Sequence, residues 1–82
     1  MLKEYRVYVL RSKKDGKRYI GSTSNIQRRL AEHNKGLVKS TRNRRPLELV
    51  YSEVFADKTS AMEREKFLKT GRGREYLRDQ GY

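Results

Sequence analysis

The chain has 82 residues, 34% apolar and 38% charged, with 21 Lys and Arg against 10 Asp and Glu for a net charge of +11. That length suits one domain with a thin core, expected over residues 1–82, and the absence of cysteine excludes a disulfide framework and a thiolate zinc site. No apolar run has the length of a membrane span or signal segment, which predicts a cytoplasmic protein without membrane association, and the charge predicts a polyanionic partner, nucleic acid first.

Residues 5–11, Tyr-Arg-Val-Tyr-Val-Leu-Arg, are β-branched and aromatic and predict a first strand. Its alternation turns Tyr5, Val7 and Val9 to one face and Arg6, Tyr8 and Leu10 to the other. Lys13 to Lys17, with Asp15-Gly16 inside, predicts a hairpin loop, followed by a second strand from about Arg18 to Ser22. A loop closing symmetrically around Asp15-Gly16 puts Tyr8 and Tyr19 on the same sheet face.

Residues 19–33 carry the densest signal. Gly21 reads as a turn residue chosen for a conformation that a side chain would forbid. Ser24 and Gln27 have the spacing of a capping box for a helix over about Asn25 to Asn34. Ile26 and Leu30 give that helix an apolar stripe. Arg29 and His33 fall beside it, facing the sheet edge. The plain reading is a strand-to-helix turn with a solvated arginine and a half-buried histidine. Gly36 ends the helix.

Residues 39–45 hold four cations and no apolar side chain, as a basic loop does. Pro46 precedes a third strand over Leu47 to Phe55. Asp57 caps a second helix over about Lys58 to Thr70, Gly71 ends it, and a short last helix follows over Arg72 to Asp79. The expected fold is α+β, a small three-stranded antiparallel sheet flanked by helices in the order β-β-α-β-α-α.

At 100° per residue, Ala61, Met62 and Leu68 define the inward face of the second helix, with Glu65 between them and Glu63 on the outside. A carboxylate aimed at a core needs a partner. Two partners are open: an arginine such as Arg29, or a hard cation such as Mg²⁺.

These residues, in this order and spacing, resemble the GIY-YIG nuclease family over nearly the whole chain. The first triplet falls on Arg6-Val7-Tyr8, where only the tyrosine is kept. After ten intervening residues the second is matched in full by Tyr19-Ile20-Gly21. The family's helix arginine and histidine fall on Arg29 and His33, and its metal-binding glutamate on Glu65, in a stretch similar to Arg64-Glu65-Lys66-Phe67-Leu68-Lys69. The chain most resembles the small stand-alone members similar to the UvrC-type repair nuclease domain. The resemblance implies a GIY-YIG-like fold and a metal-dependent endonuclease that cuts DNA phosphodiester bonds, in repair or recombination, using Mg²⁺ or Mn²⁺ and no small-molecule cofactor. Tyr8 would be the general base, with nearby cations favouring its phenolate. Tyr19 would position or assist, His33 would orient Tyr8 or relay its proton, Arg29 would contact the scissile phosphate and Glu65 would hold the metal.

The basic residues Lys13, Lys14, Lys17, Lys39, Arg42, Arg44 and Arg45 are the expected DNA contacts. Lys69 is either a further phosphate contact or a snorkelling surface lysine. No equivalent of the added asparagine and DNA-binding domains of larger members is evident, which leaves room for an unidentified protein partner in targeting. Two rivals stand beside the enzyme: a catalytically inactive nucleic-acid-binding module of the same fold, and a ribosomal-type RNA-binding protein.

Overall fold

The computed structural model describes residues 3–82; residues 1 and 2 of the expected domain lie outside it. Three strands, β1 (Tyr5–Ser12), β2 (Arg18–Thr23) and β3 (Leu47–Phe55), form an antiparallel sheet in the order β2-β1-β3. Helix α1 (Ile26–Asn34) follows β2, and α2 (Lys58–Leu68) and α3 (Gly71–Asp79) follow β3. The α+β expectation holds.

The pleat of β1 divides the core as its alternation requires. Val7 and Val9 pack with Ile20, Ala61, Leu68 and Leu77 under α2 and α3. Tyr8 and Leu10 pack with Leu47, Tyr19, Ile26 and Leu30 under α1. In the hairpin Tyr8 lies opposite Gly21 and Leu10 opposite Tyr19. Its centre falls between Lys14 and Asp15 rather than on Asp15-Gly16. The offset shifts each pairing by an even number of residues, so Tyr8 and Tyr19 still share a face.

Strand β3 serves both layers because of a bulge. Val9 pairs with Tyr51 but Leu10 pairs with Leu49, leaving Val50 unmatched. The extra residue flips the alternation. Leu47 then reaches the α1 layer, while Tyr51 and Phe55 pack in the α2–α3 layer.

The helices differ from the sequence expectation at two ends and on one face. Asn25, not Ser24, caps α1: its side chain accepts from the Arg28 N–H at 3.1 Å. Strand β2 runs on through Thr23, whose hydroxyl oxygen accepts from the Asn25 N–H at 3.1 Å, and the chain turns later than the Ser24–Gln27 spacing suggests. Gly71 does not terminate α2 but opens α3, because Thr70 is the cap of α3 and accepts from the Gly73 N–H. Met62 is 52% exposed and leaves the inward face of α2 to Ala61 and Leu68. Asp57 caps α2 as expected, accepting from the Ser60 N–H at 2.7 Å, and Gly36 ends α1 at φ +81°.

Two polar clamps hold the long connection between α1 and β3. The Asn34 side chain donates to the Leu47 carbonyl at 2.9 Å and accepts from its N–H at 2.8 Å. The buried Ser12 hydroxyl donates to the Arg44 carbonyl at 2.6 Å. They press residues 38–45, which include a 3-10 turn at Arg42–Arg44, against the end of β1.

Candidate active site

Gly21 matters for space rather than for backbone conformation, and this corrects the sequence expectation. It has no positive φ. A Cβ there would lie 2.6 Å from the Tyr8 hydroxyl oxygen and 2.8 Å from the adjoining ring carbon. The missing side chain lets the Tyr8 ring cross β2. The Tyr8 hydroxyl lies 3.0 Å from His33 Nε2, and His33 Nδ1 lies 2.7 Å from Thr41 Oγ1. All three side chains are buried. Tyr19 closes the group, with its ring centroid 4.9 Å from that of His33 and 6.3 Å from that of Tyr8.

Burial sets the protonation of this chain of groups. It raises the Tyr8 pKa above its ordinary 10.0; Arg29 opposes the shift, while Tyr19 and Glu65 add to it. The expected cation-favoured phenolate is therefore corrected, because desolvation outweighs the arginine. Burial and then Arg29 lower the His33 pKa below 6.5, against a smaller pull from Glu32. The resting pair is phenol and neutral imidazole, since moving the proton from Tyr8 to His33 alone would cost about 5 kcal/mol or more. The positive charge of Arg29 bears on the Tyr8 hydroxyl, and a guanidinium, which can only donate, favours the hydroxyl turning its oxygen toward the cation and its proton away. We therefore assign the Tyr8 proton to Nε2 as donor and the remaining imidazole proton to Nδ1, donating to Thr41.

Glu65 approaches from the other face of the sheet. It accepts from the Ser22 hydroxyl at 2.7 Å and pairs with Lys69 Nζ at 2.7 Å. Its side chain is 22% exposed, at the rim rather than aimed into the core. Arg29 is not its partner: that guanidinium bonds Glu32 at 3.1 Å. Both readings of Glu65 as a core carboxylate and as the mate of Arg29 are thus corrected. The donor set suits a hydrated hard cation. One accessible carboxylate with a neighbouring hydroxyl leaves room for water and phosphate ligands. Among the described residues no cluster of three His, Cys, Asp or Glu exists to form an all-protein cage.

The structure thus brings together Tyr8, Tyr19, Arg29, His33 and Glu65 around the free edge of β2, with Lys69 joined through Glu65. Sequence reasoning missed Thr41 and Ser22. Thr41 stands in a cationic run whose composition hides a buried residue; the one available hint is Val38, 9% exposed, whose carbonyl turns the chain by accepting from the Thr41 and Arg42 N–H groups.

The expected DNA contacts divide. Lys13, Lys17, Lys39 and Arg42 are exposed. Lys14, Arg42 and Arg45 line one open depression, where Lys14 donates to the Asn43 carbonyl and Arg45 to the Arg42 carbonyl. Arg44 is structural in its surroundings: it pairs with Asp15 at 3.4 Å and donates to the Arg18 carbonyl at 3.2 Å.

The GIY-YIG catalytic domain model matches residues 4–77. The chain is 46% identical over 71 residues to a UPF0213 protein of Staphylococcus haemolyticus, spanning 85% of this chain and 84% of that one. A UPF0213 protein of Natronomonas pharaonis is also 46% identical over 71 residues, spanning 85% and 82%. The fold is similar to the solution NMR structure of the UPF0213 protein BH0048 from Bacillus halodurans, with a TM-score of 0.58 and 36% identity, covering 94% of this chain and 84% of that one. The match to the catalytic-domain model over most of the chain, on a sheet that assembles the motif residues at one edge, means that the chain belongs to the GIY-YIG family of nuclease domains.

Proposed function

We propose that the chain is a metal-dependent endonuclease that hydrolyses DNA phosphodiester bonds in the cytoplasm, in repair or recombination. The observation that carries the reading is the buried line from Tyr8 through His33 to Thr41, with the Arg29 charge bearing on Tyr8 and the Glu65 carboxylate across β2. A packing role alone does not require an ordered donor–acceptor line ending beside an arginine at the protein rim.

In this reading Tyr8 is a proton shuttle and His33 the terminal base. As the water oxygen bonds to phosphorus, its proton passes to the Tyr8 oxygen while the Tyr8 proton passes to His33 Nε2. No free phenolate is needed, which removes the difficulty of the raised Tyr8 pKa. The phosphorus–oxygen bond to the leaving sugar breaks, and that oxygen takes its proton from solvent. Arg29 stabilises the charge on the phosphate oxygens. Thr41 keeps Nδ1 protonated and Nε2 open. Tyr19 packs against the imidazole and holds its plane. Glu65 would hold a divalent cation, Mg²⁺ or Mn²⁺, which when bound supplies Lewis-acid polarisation of the phosphate. Lys69 can swing aside, since its side chain is 53% exposed.

The test is a cleavage panel of single-stranded, duplex, flapped and branched DNA with Mg²⁺ or EDTA, run on wild type and on Glu65→Gln. Metal-dependent cleavage by wild type alone is expected. A wild type that binds the panel but cuts no member would assign the fold to a binding module.

A further inference from the structure

A second cationic region, apart from the expected DNA contacts at 39–45, lies beside the candidate active site. Arg11 of β1 and Arg18 of β2 are register partners on the α2–α3 face of the sheet. With Lys17, Tyr19, Lys69 and Arg74 they line an open cleft of about 720 Å³. No acidic side chain among the described residues lines it. Tyr19 and Lys69 belong to both places: Tyr19 packs on His33, and Lys69 holds Glu65. The cleft is therefore continuous with the site across the edge strand.

Apart from the Lys69–Glu65 pair, its cations form no ion pair with a side-chain carboxylate among the described residues. Burial, then Arg11, Arg78 and Arg74, press the Arg18 pKa below its ordinary value. Arg18 Nε donates to a main-chain oxygen of Tyr82. Arg11 Nε is buried and has no hydrogen-bond partner. Gathering like charges and leaving a buried donor open are both unfavourable unless an anion completes the arrangement. A row of cations along an open trough, next to a tyrosine edge, fits a chain of phosphates better than a single enclosed anion.

We propose that this cleft binds the backbone phosphates of the DNA strand flanking the scissile phosphate, with Arg11, Arg18 and Arg74 as contacts and Lys69 as the link to the cutting site. The choice of DNA rests on the nuclease reading above.

The test uses the full chain in EDTA. Anisotropy of labelled duplex DNA, and of RNA of the same sequence, is measured across a salt series for wild type, Arg74→Ala and Arg11→Ala. Thermal midpoints are recorded on the same preparations. Arg74 is exposed on α3, so Arg74→Ala keeps the test open if Arg11→Ala does not fold. The expected result is DNA affinity lowered roughly tenfold at low salt, with the salt slope reduced by about 0.9 for each duplex phosphate that the variant no longer neutralises. A folded Arg74→Ala with wild-type affinity and slope overturns the cleft. An effect confined to RNA overturns its assignment to DNA. Cleavage in Mg²⁺ by the same wild-type sample separates the two readings. A wild type that cuts, with an Arg74→Ala that binds equally well, removes the cleft and keeps the nuclease. A wild type that cuts nothing, with an Arg74→Ala that loses affinity, keeps the cleft and removes the nuclease. A wild type that binds no DNA removes both.

Discussion

Arg64 and Glu65 are neighbours on α2, yet the carboxylates they involve stand in different chemistry. Glu53 of β3 receives the Arg64 fork at 2.7 and 3.0 Å and also the Tyr51 hydroxyl. Arg64 in turn stacks over Phe67 and Tyr76, each at 5.0 Å. Burial pushes the Glu53 pKa up, but Arg64 and then Tyr51 outweigh it and hold it below the ordinary value. Glu65 has one hydroxyl and one exposed lysine. The first carboxylate is saturated by a planar, stacked donor and fixes α2 to the sheet. The second is held by groups that can be displaced, at the strand edge where Tyr8 and Arg29 also arrive. A carboxylate that is only loosely satisfied is available to a ligand, and this separates the site from the scaffold more clearly than burial does.

The sharpest way to break the comparison is Glu65→Gln. Metal-dependent cleavage should be lost while stability changes by less than about 1 kcal/mol, the usual scale of an exposed lysine pair. Single-turnover cleavage and thermal midpoint on one sample decide it, and a folded mutant cutting at the wild-type rate would remove Glu65 from the chemistry. Tyr8→Phe comes next. It keeps the packed ring and removes the shuttle, so the cleavage rate should fall on the order of 10²-fold with DNA affinity retained. A near-normal rate would shift the role to another group.

Glu53→Gln should do the reverse of Glu65→Gln. It breaks the Arg64 fork and should destabilise the fold by about 2 kcal/mol, read from denaturant midpoints, with little loss of cleavage at temperatures where it stays folded. A cleavage defect larger than the unfolded fraction explains would erase the distinction between the two carboxylates.

His33 adds a pH signature. Its folded pKa is below 6.5, so the unfolded chain takes up this proton first as pH falls. The neutral, buried form is fully compatible with folding above 6.5, and stability should drop as pH falls below that value toward the folded pKa. The difference in stability between wild type and His33→Gln should therefore shift with pH in that window. A constant difference would mean that His33 is not buried neutral. The smallest effect belongs to the basic turn. Arg42→Ala with Arg45→Ala should reduce the salt slope of DNA binding without altering stability; Arg44 is left out because it ties the turn to Asp15 and Arg18. An unchanged slope would place the phosphate contacts elsewhere.

Strand and helix order, the shared face of Tyr8 and Tyr19, and the α1 positions of Arg29 and His33 were legible because they follow from local periodicity, which the backbone enforces at short range. Tertiary structure alone decided the rest. Whether Glu65 faces a core, an arginine or a rim depends on how α2 lies across β2, and its partner Ser22 is 43 residues away. Gly21 is small because of a ring on the neighbouring strand, which its own flanking sequence does not encode. Thr41 completes the His33 hydrogen bond only because Ser12 and Asn34 pin a loop that composition marks as solvated. The Tyr8 pKa likewise turns on burial between β2 and α1: its residue type and the nearby arginine suggested one direction, and removal from water reversed it.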